Sequence, residues 1–188
     1  MRSAKLAPAI GLFALPILAT SVASLAASKG GINMPDTVTV AGKTLHLNGL
    51  GIREATIFKV DVYVAGLYLE TRSKDSQAII EGEQVKRIVM KFVRDVDRDD
   101  MIEAWNSGFG SGKALADRLK QLNGYMADIP QGQTMVVTYL PGAGTEVSVN
   151  GKVKGTIPGA DFAAALFRIW LGPKPPNKGL RDGMLGRG

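Results

Sequence analysis

The run Ala55-Thr-Ile-Phe-Lys-Val-Asp-Val-Tyr-Val-Ala-Gly-Leu-Tyr-Leu69 constrains this chain more than any other segment. It is dense in β-branched and aromatic residues, which fit a pleated, packed surface, and it is apolar on both parities. A strand with one wet face alternates apolar and polar side chains, so a strand lacking that alternation must be covered on both faces. The run therefore predicts one or two central strands. Tyr63, Ala65, Leu67 and Leu69 fall on one face, and Val62, Val64, Gly66 and Tyr68 on the other.

The flanking segments supply partners. Residues 35–49 read as a hairpin, Thr37–Val40 and Thr44–Leu47 around a turn at Ala41-Gly42-Lys43, and Asn48-Gly49-Leu50-Gly51 is expected to close it as a loop. Val85–Val93 is a further strand edged with charge. Asp97 can cap a helix running to about Trp105, with Asp99, Asp100 and Glu103 at the positive end of its dipole and Gly108 and Gly110 as stops. Lys113–Leu122 places Leu115, Leu119 and Leu122 on one helical face, and Gly124 ends it. Thr134–Leu140, Thr145–Val149 and Val153–Ile157 are strands, the last two joined by Asn150-Gly151, a strong two-residue hairpin signal. A helix over Asp161–Leu171 and a short one within Lys178–Leu185 follow. The order predicts a single α+β domain, a large, open and mostly antiparallel sheet with helices layered on one face.

The N-terminus carries a different signal. Arg2 and Lys5 precede an uncharged stretch from Leu6 to Ser28, and Ser21-Val22-Ala23 and Ser24-Leu25-Ala26 set small side chains at its end. A basic start, an apolar middle and a small-residue terminus make a secretory signal peptide. The expectation is a leader over residues 1–26, cleaved after Ala26, and a soluble domain over 27–188 in the periplasm or outside the cell. A permanent anchor fits less well: a membrane-spanning helix needs about 20 strongly apolar residues, and here Pro8 and Pro16 interrupt a run rich in Ala, Ser and Thr. The chain has no cysteine, hence no disulfide, thiol nucleophile or lipidated cysteine. With Arg2 and Lys5 removed, 21 basic residues face 17 acidic ones, a net charge of +4. That charge is scattered, with no run of five or six like charges, which argues against a nucleic-acid partner.

Few residues offer chemistry. His46 is the sole histidine and lies in a hairpin, where metal sites and nucleophilic relays need clustered ligands. Asp95-Val-Asp97-Arg-Asp99-Asp100 lacks the glycine and distal glutamate of a calcium loop and suits a helix start better. Gly108-x-Gly110-x-Gly112 follows a helix and has the wrong spacing for a phosphate loop. Neither a metal nor a cofactor is expected. Trp105 and Trp170 read as core. Arg53 and Tyr63 are the exception, because Arg53 enters the most apolar strand from a glycine-bracketed segment. A guanidinium beside buried surface requires a partner. Spacing alone favours an ion pair with Glu54, Asp61 or another acid; an anionic ligand is the other possibility.

At these residues the sequence resembles the chalcone isomerase-like family, in its bacterial exported branch. The resemblance rests on Gly51-Ile-Arg53, Phe58–Glu70 with its Tyr63-x-Ala-Gly-Leu-Tyr-Leu69 core, Trp105-Asn-Ser-Gly-Phe109, Gly155-Thr-Ile-Pro-Gly159 and Phe162–Pro173, spread over most of residues 35–186. It implies an open, mostly antiparallel sheet with helices layered on it and a cleft between. It also implies one of two functions. Plant members cyclise chalcones, with an arginine stabilising an oxyanion; other members bind fatty acids without catalysis, the same arginine and a tyrosine holding the carboxylate. Arg53 matches the shared arginine and Tyr63 the tyrosine of the binders. The positions of the enzymes' helical Tyr, Lys and Asn fall at Asp97, Asp100 and Ala104, and their small hydroxyl residue falls at Ile169. The resemblance therefore implies a binder of a fatty acid or similar hydrophobic carboxylate, with Ala65, Leu67 and Leu69 enclosing the tail together with helix side chains. The alternative is an isomerase of the intramolecular-lyase type using Arg53, with Tyr63 assisting. A filled cleft with Arg53 paired to an internal acid would instead indicate a structural or partner-binding role.

Overall fold

The computed structural model describes residues 26–55, 60–110 and 113–187. The expected leader, apart from Ala26, lies outside them, as do residues 56–59 of the long apolar run. Two short strands, β1 (Ala26–Lys29) and β2 (Ile32–Pro35), form a hairpin of their own. The main sheet runs in strict chain order through β3 (Thr37–Val40), β4 (Lys43–Ala55), β5 (Val60–Leu69), β6 (Lys86–Phe92), β7 (Thr134–Leu140), β8 (Gly144–Val149) and β9 (Lys152–Ile157). Every neighbouring pair is antiparallel. The helices are α1 (Ser76–Glu81) between β5 and β6, α2 (Arg98–Phe109) and α3 (Ala116–Gly124) between β6 and β7, then α4 (Ala160–Leu171) and α5 (Lys178–Met184) after the last strand.

The turns follow from backbone chemistry. Ala41 and Gly42, and again Asn150 and Gly151, take positive φ at both central positions of their two-residue loops. That geometry matches the twist of the strands it joins.

One large core lies between the sheet and the helices. Ala65, Leu67, Leu69, Ile88, Met90 and Phe92 from the sheet meet Ile79, Met101, Leu122, Phe162, Phe167, Trp170 and Leu180 from the five helices. A second cluster, with Met34, Leu45, Leu47, Leu50, Val64 and Tyr68, occupies the opposite face. The β1–β2 hairpin closes it there: Tyr68 donates its hydroxyl to the Pro35 carbonyl at 2.9 Å, and Gly30 lies against Ile52 and Val64. The double-sided apolarity of β5 is thus explained by helices on one face and a hairpin on the other.

The structure corrects three local expectations. Asn48–Gly51 is not a loop; β4 continues through it to Ala55. Gly49 and Gly51 are instead where α5 lies backbone to backbone on the strand, and a methyl group at either would collide with the carbonyl of Gly183 or Leu180. Asn48 and Asn177 tie the two elements together through the Met184 and Ile52 carbonyls. Gly108 does not stop α2 but lies within it, where a Cβ would sit 2.8 Å from Ile169 Cδ1 of α4. Gly110, at φ 68°, is the terminator. Asp97 occupies the N-cap position of α2 without a capping bond from its side chain; Asp128 accepts from the Arg98 N–H instead, at 2.9 Å.

Candidate functional site

A cleft of about 870 Å³ opens where the ends of β4, β5 and β6 meet α2 and α4. Its base is set by strand register: Arg53 of β4 pairs directly with Tyr63 of β5, and Glu54 then pairs with Asp61, leaving Val62 as the unpaired residue of a bulge. The bulge overturns one facial assignment. Strict alternation places Val62 on the far side of the sheet, but both Val62 and Tyr63 line the cleft. The two residues singled out by the sequence therefore sit side by side on one wall.

Tyr63 is 8% exposed. Its ring packs against Phe92 at 5.3 Å, and its hydroxyl accepts from Trp170 Nε1 at 3.0 Å. Trp170 meets Trp105 edge-on at 5.6 Å, and Trp105 Nε1 in turn donates to Met126 Sδ at 3.1 Å. Burial pushes the phenol up to about 12, against smaller opposing effects of the Trp170 hydrogen bond and the Arg53 charge. The hydroxyl is accordingly neutral at physiological pH and keeps its own proton to donate. Arg53 is half-buried and donates one N–H to the Glu54 backbone carbonyl. It takes part in no ion pair among the described residues, so most of its five donors remain for something else. A planar guanidinium fork beside a neutral phenol suits a carboxylate or a developing oxyanion.

The remaining walls are mostly apolar. Met101, Ala104, Trp105 and Gly108 come from α2, Ile169 and Trp170 from α4, Met90 and Val96 from β6 and the segment after it, and Pro173 and Pro176 from the chain leaving α4. Arg94, Asp95, Asp100, Arg168 and Lys174 supply charge. Both tryptophans, read from sequence as core, are buried and also line the cleft.

Ala65, Leu67 and Leu69 do not line it. All three are 0% exposed and belong to the packed cluster under α4 and α1, so the space deeper along β5 is already filled. Any apolar tail must run outward between α2 and α4. The acidic stretch before α2 has structural work: Asp95 accepts from the Gln131 N–H at 2.7 Å, and Asp99 pairs with Arg98.

An open antiparallel sheet with several helices packed on it is the fold of the chalcone isomerase-like proteins. The model of the chalcone isomerase-like family matches residues 26–186, and the chain belongs to that family. Among solved structures it is similar to the crystal structure of an Arabidopsis thaliana fatty-acid binding protein, with a TM-score of 0.70 over 86% of this chain and 95% of that one. Sequence identity between the two is 17%, so the likeness is one of fold. No curated protein matches the chain in sequence.

Proposed function

We propose that this protein is a non-catalytic binder of a fatty acid or similar hydrophobic carboxylate, held by Arg53 and Tyr63. The observation that carries the reading is their direct pairing across β4 and β5 at the base of a cleft that is otherwise largely apolar. A fatty-acid binding protein of the same fold supports it. So does the chemistry of the α2 and α4 walls. Asp100, Ala104 and Ile169, which the resemblance matches to positions of reactive side chains in the plant enzymes, line the cleft and offer no phenol, amine, amide or hydroxyl. A charge-assisted contact to the carboxylate contributes roughly 1.5–3 kcal/mol, and each buried methylene about 0.8 kcal/mol before ordering costs. Micromolar affinity, about −8 kcal/mol, is within reach of a tail of moderate length.

The same reading takes the protein to be exported, its leader ending at Ala26. Among the described residues no helix is long and apolar enough to cross a membrane. One experiment addresses both points: native mass spectrometry of the protein purified after expression with its full leader. The expected spectrum shows an N-terminus at Ala27 and a bound carboxylate of lipid mass, with the adduct lost in Arg53→Ala. An empty protein, or an adduct that survives the substitution, would overturn the binding reading; an intact leader would overturn export. Chalcone consumption faster than buffer would transfer Arg53 to the oxyanion role.

A further inference from the structure

The charges at the cleft mouth divide by wall. Arg94 shares its wall with Asp95 and Asp100, so that side carries little net positive charge. The last turn of α4 and the segment that follows bring Arg168 and Lys174 into the lining, and those two stretches contribute no carboxylate to it. Neither side chain makes an ion pair or a side-chain hydrogen bond to any described residue, whereas Lys43, Arg98, Arg118 and Arg181 all find carboxylates. Unpaired lysines on open surface are ordinary. Arg168 and Lys174 are likewise exposed; what sets them apart is that both line a largely apolar cleft that already holds Arg53.

A simple fatty acid uses one anionic anchor and would leave this second one idle. We propose that the ligand is anionic at both ends: one carboxylate on Arg53 and Tyr63, an apolar stem between α2 and α4, and a second anionic group on Arg168 and Lys174. The inference rests on the carboxylate reading above and narrows its ligand class. Closure of the space beneath Ala65, Leu67 and Leu69 supports it, because the stem is directed outward and its far end emerges at the mouth. The second group could be a carboxylate, a phosphate or a sulfate; Arg168 and Lys174 recognise the shared charge.

Isothermal titration of the mature protein with hexadecanoate and with α,ω-diacids of increasing length tests this. A diacid of matching length should bind about fivefold more tightly than hexadecanoate, the gain available to partly exposed ion pairs, and added salt should erode the difference. In Arg168→Ala/Lys174→Ala the ratio of the two affinities should fall to about one, while Arg168→Lys should keep most of it. Equal affinities at every diacid length, or a preference that survives the double substitution, would overturn the proposal and leave monocarboxylate binding standing. Failure of hexadecanoate itself to bind, or its indifference to Arg53→Ala, would overturn the underlying reading and this one with it.

Discussion

Replacing Tyr63 by Phe removes one oxygen that serves both the fold and the proposed site. In the folded protein this oxygen accepts from Trp170 Nε1 at 3.0 Å, and Trp170 is only 1% exposed. Leaving a buried donor unpaired costs about 1–3 kcal/mol. The variant also buries one polar atom fewer, so a net loss of about 1–2 kcal/mol is expected. For a domain of this size that lowers Tm by roughly 2–8 °C. The same oxygen should donate its proton to the ligand carboxylate, and its removal should weaken hexadecanoate binding about tenfold or more. A pH signature accompanies both effects. Tyr63 is raised to about 12 by burial. A raised phenol favours the folded state in its neutral form, so its contribution is complete below about pH 10 and is lost as pH climbs toward 12. Tyr68 and Tyr139 are raised similarly by burial, so Tyr63→Phe should flatten the alkaline loss of stability without abolishing it. Urea unfolding followed by the fluorescence of Trp105 and Trp170, across pH 7 to 11, reads stability, and titration calorimetry reads affinity. An unchanged midpoint with unchanged affinity would refute the placement of this oxygen. A lowered midpoint with full affinity would confine Tyr63 to the core and remove the second anchor from the site.

Two further substitutions test the framework around the cleft. Gly51→Ala should force α5 off β4, because the new methyl meets the Leu180 backbone; a loss of about 1–3 kcal/mol is expected from the overpacking, read as a lower urea midpoint. Lys86 is 1% exposed, and its ammonium donates to the Ile79, Ile80 and Gly82 carbonyls at the end of α1 while facing the rings of Tyr139 and Phe167. Lys86→Met keeps the stem but strands those carbonyls, and should cost about 2–4 kcal/mol with α1 losing amide-exchange protection first.

Much of the sheet was legible because its signals are local. Density in β-branched and aromatic residues marked β5, short β-rich runs marked β6 to β9, and Asn150-Gly151 and Ala41-Gly42 marked turns whose backbone requirement glycine meets directly. The glycines in β4 misled for a physical reason. A glycine that breaks a strand and a glycine that admits another backbone look alike in one dimension, and only the arrival of α5 from the far end of the chain separates Gly49 and Gly51 from turn residues. Gly108 repeats the ambiguity, since its requirement comes from Ile169 on another helix. The β1–β2 hairpin escaped because two four-residue strands carry little periodic signal, and the first begins at the expected end of the leader.

The site was half legible by the same logic. Arg53 and Tyr63 could be singled out because a cation entering an apolar strand must be answered by something. Their adjacency, however, depends on the β4–β5 register, and the Val62 bulge that orients this end of β5 has no residue of its own to announce it. The direction of the cleft was the part that sequence reasoning got wrong. Extending the apolar face of β5 inward from Tyr63 through Ala65, Leu67 and Leu69 treats apolarity as available space, whereas a protein core is filled to near crystal density. Residues at 0% exposure have already met their partners. Room for a ligand is found where packing stops, at the bulge and along the small residues Ala104 and Gly108 of α2. This is why, of the strand and helix side chains expected to enclose a tail together, the helices supply the walls, Ala104, Trp105 and Ile169 among them.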